Sequence, residues 1–235
     1  MDAIYQVFWS DLGVVAYERF QALQRALALR AEEGPGYILF LEHPPTITLG
    51  YSLKGDEGRS AIRSSAAELK AAGVGVVEVD RGGKATFHGP GQLVCYPILS
   101  LKKLRLGVKR YVGKLQLLLL RALAELGVEA DLDPRYPGVW TRQGKIAAVG
   151  IRVSERVTTH GFALNVDPDL SMFRHIVPCG ITDRPVTSLA AMGLRLPSRS
   201  ELVAVLVRGM AEELRLEMVS KEAGEIWSAL AQEEA

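Results

Sequence analysis

Covalent chemistry in this chain has two thiols to draw on, Cys95 and Cys179. Cys95 sits inside the apolar run Leu93-Val94-Cys95-Tyr96-Pro97. Burial there raises a thiol's pKa and leaves it a small hydrophobe. Cys179 sits between Pro178 and Gly180, outside any periodic apolar run. A loop thiol beside glycine has backbone amides free to stabilise a thiolate or an oxyanion. Cys179 is the candidate nucleophile and Cys95 a core residue; an inert loop thiol is the other reading of Cys179. A free thiol titrates at about 8.5, so only about a tenth is thiolate at pH 7.5, and a nearby cation is needed. Lys145 opens the otherwise apolar run Lys145-Ile146-Ala147-Ala148-Val149-Gly150. Such a lysine either caps the strand in solvent or carries charge into a site, and the residues alone leave both open.

A second concentration of chemistry is Arg81-Gly82-Gly83-Lys84-Ala85-Thr86-Phe87-His88-Gly89-Pro90-Gly91-Gln92. Glycine lets backbone pass close to a ligand. A polar glycine-rich loop between two strand-like runs, here 76–79 and 93–98, is where α/β proteins tend to place a site. A plain hairpin with a long tip is the alternative. His88 and His160 each precede a glycine, and neither lies at metal-ligand spacing with another His, Cys or Asp. Positioning fits them better than metal binding, with His160 as a possible supporting group behind the site. No GxxxxGK[ST] occurs, and no Gly-x-Gly-x-x-Gly stands between a strand and a helix, so P-loop and Rossmann nucleotide sites are not expected.

The elements that must position these residues follow from periodicity. Residues 5–9 alternate as a strand, and 13–33 carry helical spacing before Gly34-Pro35-Gly36. Strands are expected at 37–41, 46–50, 138–141, 145–153 and 158–166. Helices are expected at 64–72, 108–126, 169–176, 187–192 and 199–216, with Ser198 capping the last. Residues 51–60 read as a mobile loop, and 177–181 as a loop bearing Cys179. The order predicts an α/β protein of α+β type: a single domain with a mixed, mainly antiparallel sheet flanked by helices. A catalytic domain over 1–217 is expected, followed by a dispensable helical or frayed tail, 218–235.

The net charge of +1 gives no basic footprint for nucleic acid. The Leu117–Leu120 run is too short to span a bilayer. With no secretory leader evident and only two cysteines, a cytoplasmic protein with free thiols is expected.

The stretch 81–92 resembles the signature of the lipoyl(octanoyl) transferases. Three further pieces agree in the family's order: Leu41-Glu42-His43-Pro44-Pro45-Thr46, Gly144-Lys145-Ile146-Ala147-Ala148-Val149-Gly150, and His160-Gly161-Phe162-Ala163-Leu164-Asn165-Val166. Pro178-Cys179-Gly180-Ile181 completes the set. The resemblance covers residues 5–215; 51–63, 129–137 and the tail carry no family signal.

The resemblance implies an acyltransferase with the catalytic-domain fold of the lipoate and biotin protein ligases. It implies transfer of an octanoyl group from octanoyl-acyl carrier protein to a lysine of lipoyl domains, those of 2-oxoacid dehydrogenase complexes and the glycine cleavage H protein. Cys179 matches the family's acyl-thioester cysteine and Lys145 its pKa-lowering lysine. Its substrate-binding stretches match Arg81, Gly82, Gly83, Lys84, Ala85, Thr86, Phe87 and His88; Ala148, Val149 and Gly150; and Gly161, Phe162 and Ala163. No cofactor and no metal are implied, nor a nucleic-acid or membrane partner, and a monomer is expected. An acidic carrier protein calls for a local basic face, for which Arg59, Arg63, Lys102, Lys103, Arg105 and Arg110 are candidates. Two rivals stand beside this reading: an ATP-dependent lipoate–protein ligase of the same fold, and a non-catalytic acyl-binding module.

Overall fold

The computed structural model describes residues 4–53, 60–177 and 184–231. Among the described residues, ten strands form two sheets. The larger has seven, in the order β10-β1-β2-β6-β9-β8-β7. Its members are β1 (Tyr5–Val14), β2 (Gly36–Glu42), β6 (Gln92–Ile98), β7 (Val139–Thr141), β8 (Gly144–Ser154), β9 (Val157–Asn165) and β10 (Leu216–Ser220). β1 pairs parallel with β10 and β2, and the other four pairings are antiparallel. The sheet is therefore mixed and mainly antiparallel, as its sequence predicts. The smaller sheet, β4-β3-β5, is made of β3 (Thr46–Leu49), β4 (Gly75–Glu78) and β5 (Ala85–His88).

The central strands β2 and β6 are buried along almost their whole length, which matches their unbroken apolar runs. One face is covered by α1 (Tyr17–Glu33), whose Phe20, Leu23 and Leu27 pack on Leu39, Leu41 and Tyr96. The other is covered by two further helices, residues 108–125 and 199–214. Among the described residues the α-helices are, in chain order, α1, α2 (Ala66–Ala71), α3 (Val108–Glu125), α4 (Arg199–Leu214) and α5 (Ala223–Ala231). Ser65 and Ser198 each close a capping box, with Glu68 and Glu201 reaching back.

Several expected elements differ. The first helix starts at Tyr17, not at 13, because β1 runs on to Val14, past a bulge, and pairs it with Glu42. The stretch 81–92 is not one loop: Ala85–His88 is a strand, paired antiparallel with Thr46–Leu49. Its predecessor β4 is a largely exposed edge strand. Residues 187–192 form hydrogen-bonded turns, Met192 N–H reaching the Ser188 and Leu189 carbonyls, and not a helix. The expected helix at 169–176 is a 3-10 helix, Leu170–His175, capped by Asp169. Position 217 falls within β10, and α5 beyond it buries Ile226 and Ala229 against α1. The mobile loop expected at 51–60 lies mostly outside the described residues, as does Arg59. Lys103 donates to the Glu33 and Gly34 carbonyls at the end of α1. No helix among the described residues is long and apolar enough to cross a membrane.

Candidate functional site

A cavity of about 360 Å³ lies where β6, β8 and β9 of the large sheet face β5 and the Arg81–Lys84 turn. Its floor is the β8–β9 pairing, in which Ala148, Val149 and Gly150 stand opposite Ala163, Phe162 and Gly161. Gly161 is required there: a Cβ would lie 2.1 Å from the Cys95 carbonyl oxygen and 2.6 Å from Pro97 Cδ. Only glycine lets β9 lie so close to β6. Across the cavity, β5 alternates as a strand must. Thr86 and His88 face the cavity, while Ala85 and Phe87 point away into the cluster of Ile47, Leu49 and Phe173. Arg81, Gly82, Gly83 and Lys84 form its rim. Of the residues expected at the site, fourteen line this one space, Lys145 and His160 among them; Ala85 and Phe87 do not.

Sequence reasoning missed part of the wall. Val94 and Tyr96 line the cavity from β6, on the face opposite Cys95, which their period-2 spacing around that residue could have shown. Tyr17 enters from the first turn of α1. Ser52, Arg135, Tyr136 and Pro137 complete the mouth, from stretches without a recognisable pattern.

Lys145 is 7% exposed, so it does not cap β8 in solvent. A bulge in the β7–β8 ladder shifts the register between Val139 and Trp140 and sets Lys145 opposite Trp140. The ammonium lies over the indole, Nζ 5.2 Å from the ring centroid. The Arg184 guanidinium covers the same ring at 3.9 Å and pairs with Asp133 at 2.6 Å. The Lys145 backbone is fastened to the segment 185–187: its N–H donates to the Pro185 carbonyl and its carbonyl accepts from Thr187 N–H, both at 2.9 Å. Cys179 lies outside the described residues, as do 178–183 as a whole.

Two buried histidines stand near the cavity. His43 Nδ1 donates to the Val15 carbonyl at 2.7 Å, which leaves Nε2 to accept from the Tyr96 hydroxyl at 2.8 Å. Burial pushes His43 down to about 4 and the adjacent Tyr17 hydroxyl up to about 12. His88 Nδ1 lies 2.6 Å from Gln92 Oε1. Burial first, then the charges of His43 and Arg81, push it down to about 3, so it is a neutral imidazole at pH 7.

His160 holds the rim. Its backbone is left-handed, φ 58°, and its N–H donates to Gln24 Oε1 at 2.8 Å. Its Nε2 lies 2.7 Å from Asp80, which also pairs with Arg152 at 2.7 Å. The His160 hydrogen bond holds the Asp80 carboxyl below its ordinary value. Asp80 immediately precedes Arg81, so this cluster fixes where the rim begins. Arg81 itself is buried and donates to the carbonyl and hydroxyl of Thr48, both at 2.9 Å. Among the described residues no group of His, Cys, Asp and Glu could hold a metal ion.

A mixed sheet carrying an apolar cavity with a buried lysine in its wall suits acyl transfer chemistry. Residues 16–211 match the family model of the lipoyl protein ligase A/B catalytic domain, and the chain belongs to that family. An octanoyltransferase of Chloroflexus aurantiacus is 47% identical over 211 residues, covering 88% of this chain and 93% of that protein. An octanoyltransferase of Solibacter usitatus is 43% identical over 193 residues, covering 79% and 83%. A bipartite lipoate protein ligase of Thermoplasma acidophilum, from a structural study of that ligase and its E2 lipoyl domain, shares the fold at a TM-score of 0.79. That match is 18% identical and covers 97% of this chain and 91% of the other, so it speaks for the fold alone.

Proposed function

We infer that this chain moves an octanoyl group from a carrier-protein thioester to the ε-amine of a lysine on lipoyl domains, through an acyl thioester on Cys179. The chain is an octanoyltransferase; the cysteine intermediate, the roles below and the named donor and acceptors are the reading proposed here. The observation that supports it most is the buried Lys145 in the wall of an otherwise mostly apolar cavity.

In this reading the Lys145 ammonium stabilises the Cys179 thiolate, which attacks the thioester carbonyl carbon. The carrier thiolate leaves and takes a proton from the Lys145 ammonium. The acceptor amine then attacks the octanoyl-enzyme and its proton passes to the neutral Lys145 amine; an amide forms, and the Cys179 thiolate is released beside the restored ammonium. The thioester supplies the driving force, so ATP is not needed. The octanoyl chain lies among Val94, Val149, Phe162 and Ala163, where each buried methylene contributes roughly 0.8 kcal/mol. Arg81 to Lys84 close over it. One methylene more or less then alters preference only about 10-fold, so chain-length choice is graded.

Mass spectrometry after mixing the protein with octanoyl-acyl carrier protein, without ATP, tests this directly. An octanoyl adduct mapping to Cys179, discharged by a lipoyl domain, is expected. Transfer that requires ATP and survives Cys179→Ala decides for the ligase. Binding without turnover decides for a non-catalytic module.

A further inference from the structure

The hydrogen bonds behind His88 run in one direction only. Asn165 Nδ2 donates to the Thr187 carbonyl at 2.9 Å, so Asn165 Oδ1 faces Gln92 and accepts from its Nε2 at 2.9 Å. Gln92 Nε2 also donates to the Phe87 carbonyl, 3.3 Å away. Carbonyls cannot donate, so both amides are fixed in orientation. Gln92 Oε1 is left as the acceptor 2.6 Å from His88 Nδ1, and that nitrogen carries the proton. His88 Nε2 therefore presents a lone pair. It is bonded by no described residue, on a side chain that is 6% exposed and lines the cavity. His43 is the contrast: both of its nitrogens are engaged, and its lone pair is taken by Tyr96.

A lone pair in that place selects its partner by chemistry. It cannot serve a thioester carbonyl, an oxyanion or a thiolate, because all of these are acceptors too. It suits an N–H donor. The same string of amides ties His88 to Lys145. Gln92, Asn165 and Lys145 wall one small space of about 20 Å³ behind the main cavity. The Thr187 residue that ends the string donates its own N–H to the Lys145 carbonyl.

We propose that His88 Nε2, with its tautomer locked through Gln92 and Asn165, accepts a hydrogen bond from the amine of the acceptor lysine and turns that nitrogen's lone pair toward the acyl carbon. The inference rests on the two-step transfer of the preceding subsection. His88 thus acts in the second step and not in loading. Its neutrality at pH 7, enforced by burial, keeps it an acceptor throughout.

The test separates the two half-reactions. Octanoyl-enzyme is formed from octanoyl-acyl carrier protein, isolated, and discharged with a lipoyl domain in single turnover. His88→Asn restores only the Nδ1 position, whereas His88→Gln places an amide oxygen near Nε2. The Asn variant is expected to slow discharge roughly 10- to 100-fold, the scale of one lost hydrogen bond to a reacting group. Its discharge should fall at least tenfold more than its loading, and the Gln variant should recover most of the loss. Equal slowing of both steps, slowing of loading alone, or normal discharge by the Asn variant overturns the assignment. Loading alone is what contact with an amide of the donor's pantetheine arm would affect. If the Asn variant does not fold, Gln92→Met, which leaves His88 but frees its tautomer, takes its place, with slowed discharge expected and unchanged discharge overturning the assignment. Wild-type protein that forms no octanoyl-enzyme brings down the two-step reading itself, a result distinct from loading normally and discharging without His88.

Discussion

Gly138 lies against the end of the Lys145 side chain. A Cβ at 138 would stand 2.5 Å from Lys145 Cε, 3.3 Å from Nζ and 2.4 Å from the Ala147 carbonyl oxygen. Its φ of 123° is one that side chains rarely adopt. The ammonium over Trp140 is therefore placed from two sides, by the indole beneath and by the missing side chain of Gly138. Gly138→Ala must displace the lysine, the backbone, or both. It is expected to cost about 1–3 kcal/mol of stability and to lower octanoyl-enzyme formation at least tenfold. Unfolding curves and a loading time course measure the two; loading at the wild-type rate would show that Lys145 does not depend on this contact.

The two thiols should separate cleanly. Cys95 is fully buried in β6, and burial pushes its pKa well up. In native protein at pH 7, a soluble alkylating reagent should leave Cys95 unmodified until denaturant is added. Cys95→Ala should load with octanoate like the parent, at a stability cost of about 1–2 kcal/mol for the small void. Cys179→Ser should form no octanoyl-enzyme. An octanoyl label on a peptide containing Cys95 would contradict the chemistry proposed.

Acid should weaken the fold well above the carboxylate range. His43 is held near 4 in the folded chain against about 6.5 when unfolded. As pH falls through that window, the unfolded chain takes up the proton first and is favoured. The stability is thus complete above about pH 6.5 and is lost going down, by up to about 3 kcal/mol for His43 as pH reaches 4. His88 acts in the same direction. Asp80, whose pKa is lowered, has the opposite sign: its contribution is present above the ordinary carboxylate pKa and is lost only below it. The slope of urea-unfolding free energy between pH 7 and 5 should be shallower in His43→Gln. Parallel slopes would show that folding does not change the proton affinity of His43.

Periodicity shows the strands that carry much of the site: the runs at 145–153 and 158–166 are β8 and β9. That Ala148–Gly150 and Gly161–Ala163 belong to a site comes from the family resemblance alone, Lys145 stays open on the residues by themselves, and the β8–β9 ladder is what brings these residues together. The glycines of the 81–92 stretch mask the alternation Ala85-Thr86-Phe87-His88. That alternation decides which of the four reach the cavity. Tyr17 and the Arg135–Pro137 mouth were not legible, since nothing local marks them; long-range packing alone brings them to the cavity. The Tyr96 partner of His43, and the Asn165 that orients His88's partner Gln92, are likewise marked by nothing local. Asn165 and Gln92 are 73 positions apart, and only the β6–β9 pairing makes them neighbours.

The stretch after 217 has no family signal, yet packing makes it part of the core. Ile226 and Ala229 of α5 are 3% and 2% exposed, buried in the cluster of Leu23, Leu27 and Ala31 on α1. Arg19 covers the Trp227 ring at 4.2 Å, and Arg30 donates to the Ala229 carbonyl at 3.0 Å. Burying an Ile side chain contributes about 1.5–3 kcal/mol, with the smaller Ala methyl adding to it. Ordering the helix opposes part of that gain. Ending the chain at 221 should therefore lower unfolding free energy by about 2–4 kcal/mol. Ending it at 215 should do worse, because it also strips β10 from β1 and leaves a long strand edge open to other chains. Urea unfolding of the shorter truncation and light scattering of the longer one measure these effects. A chain ending at 221 that unfolds at the parent's urea concentration would show that α5 adds nothing to the core it covers.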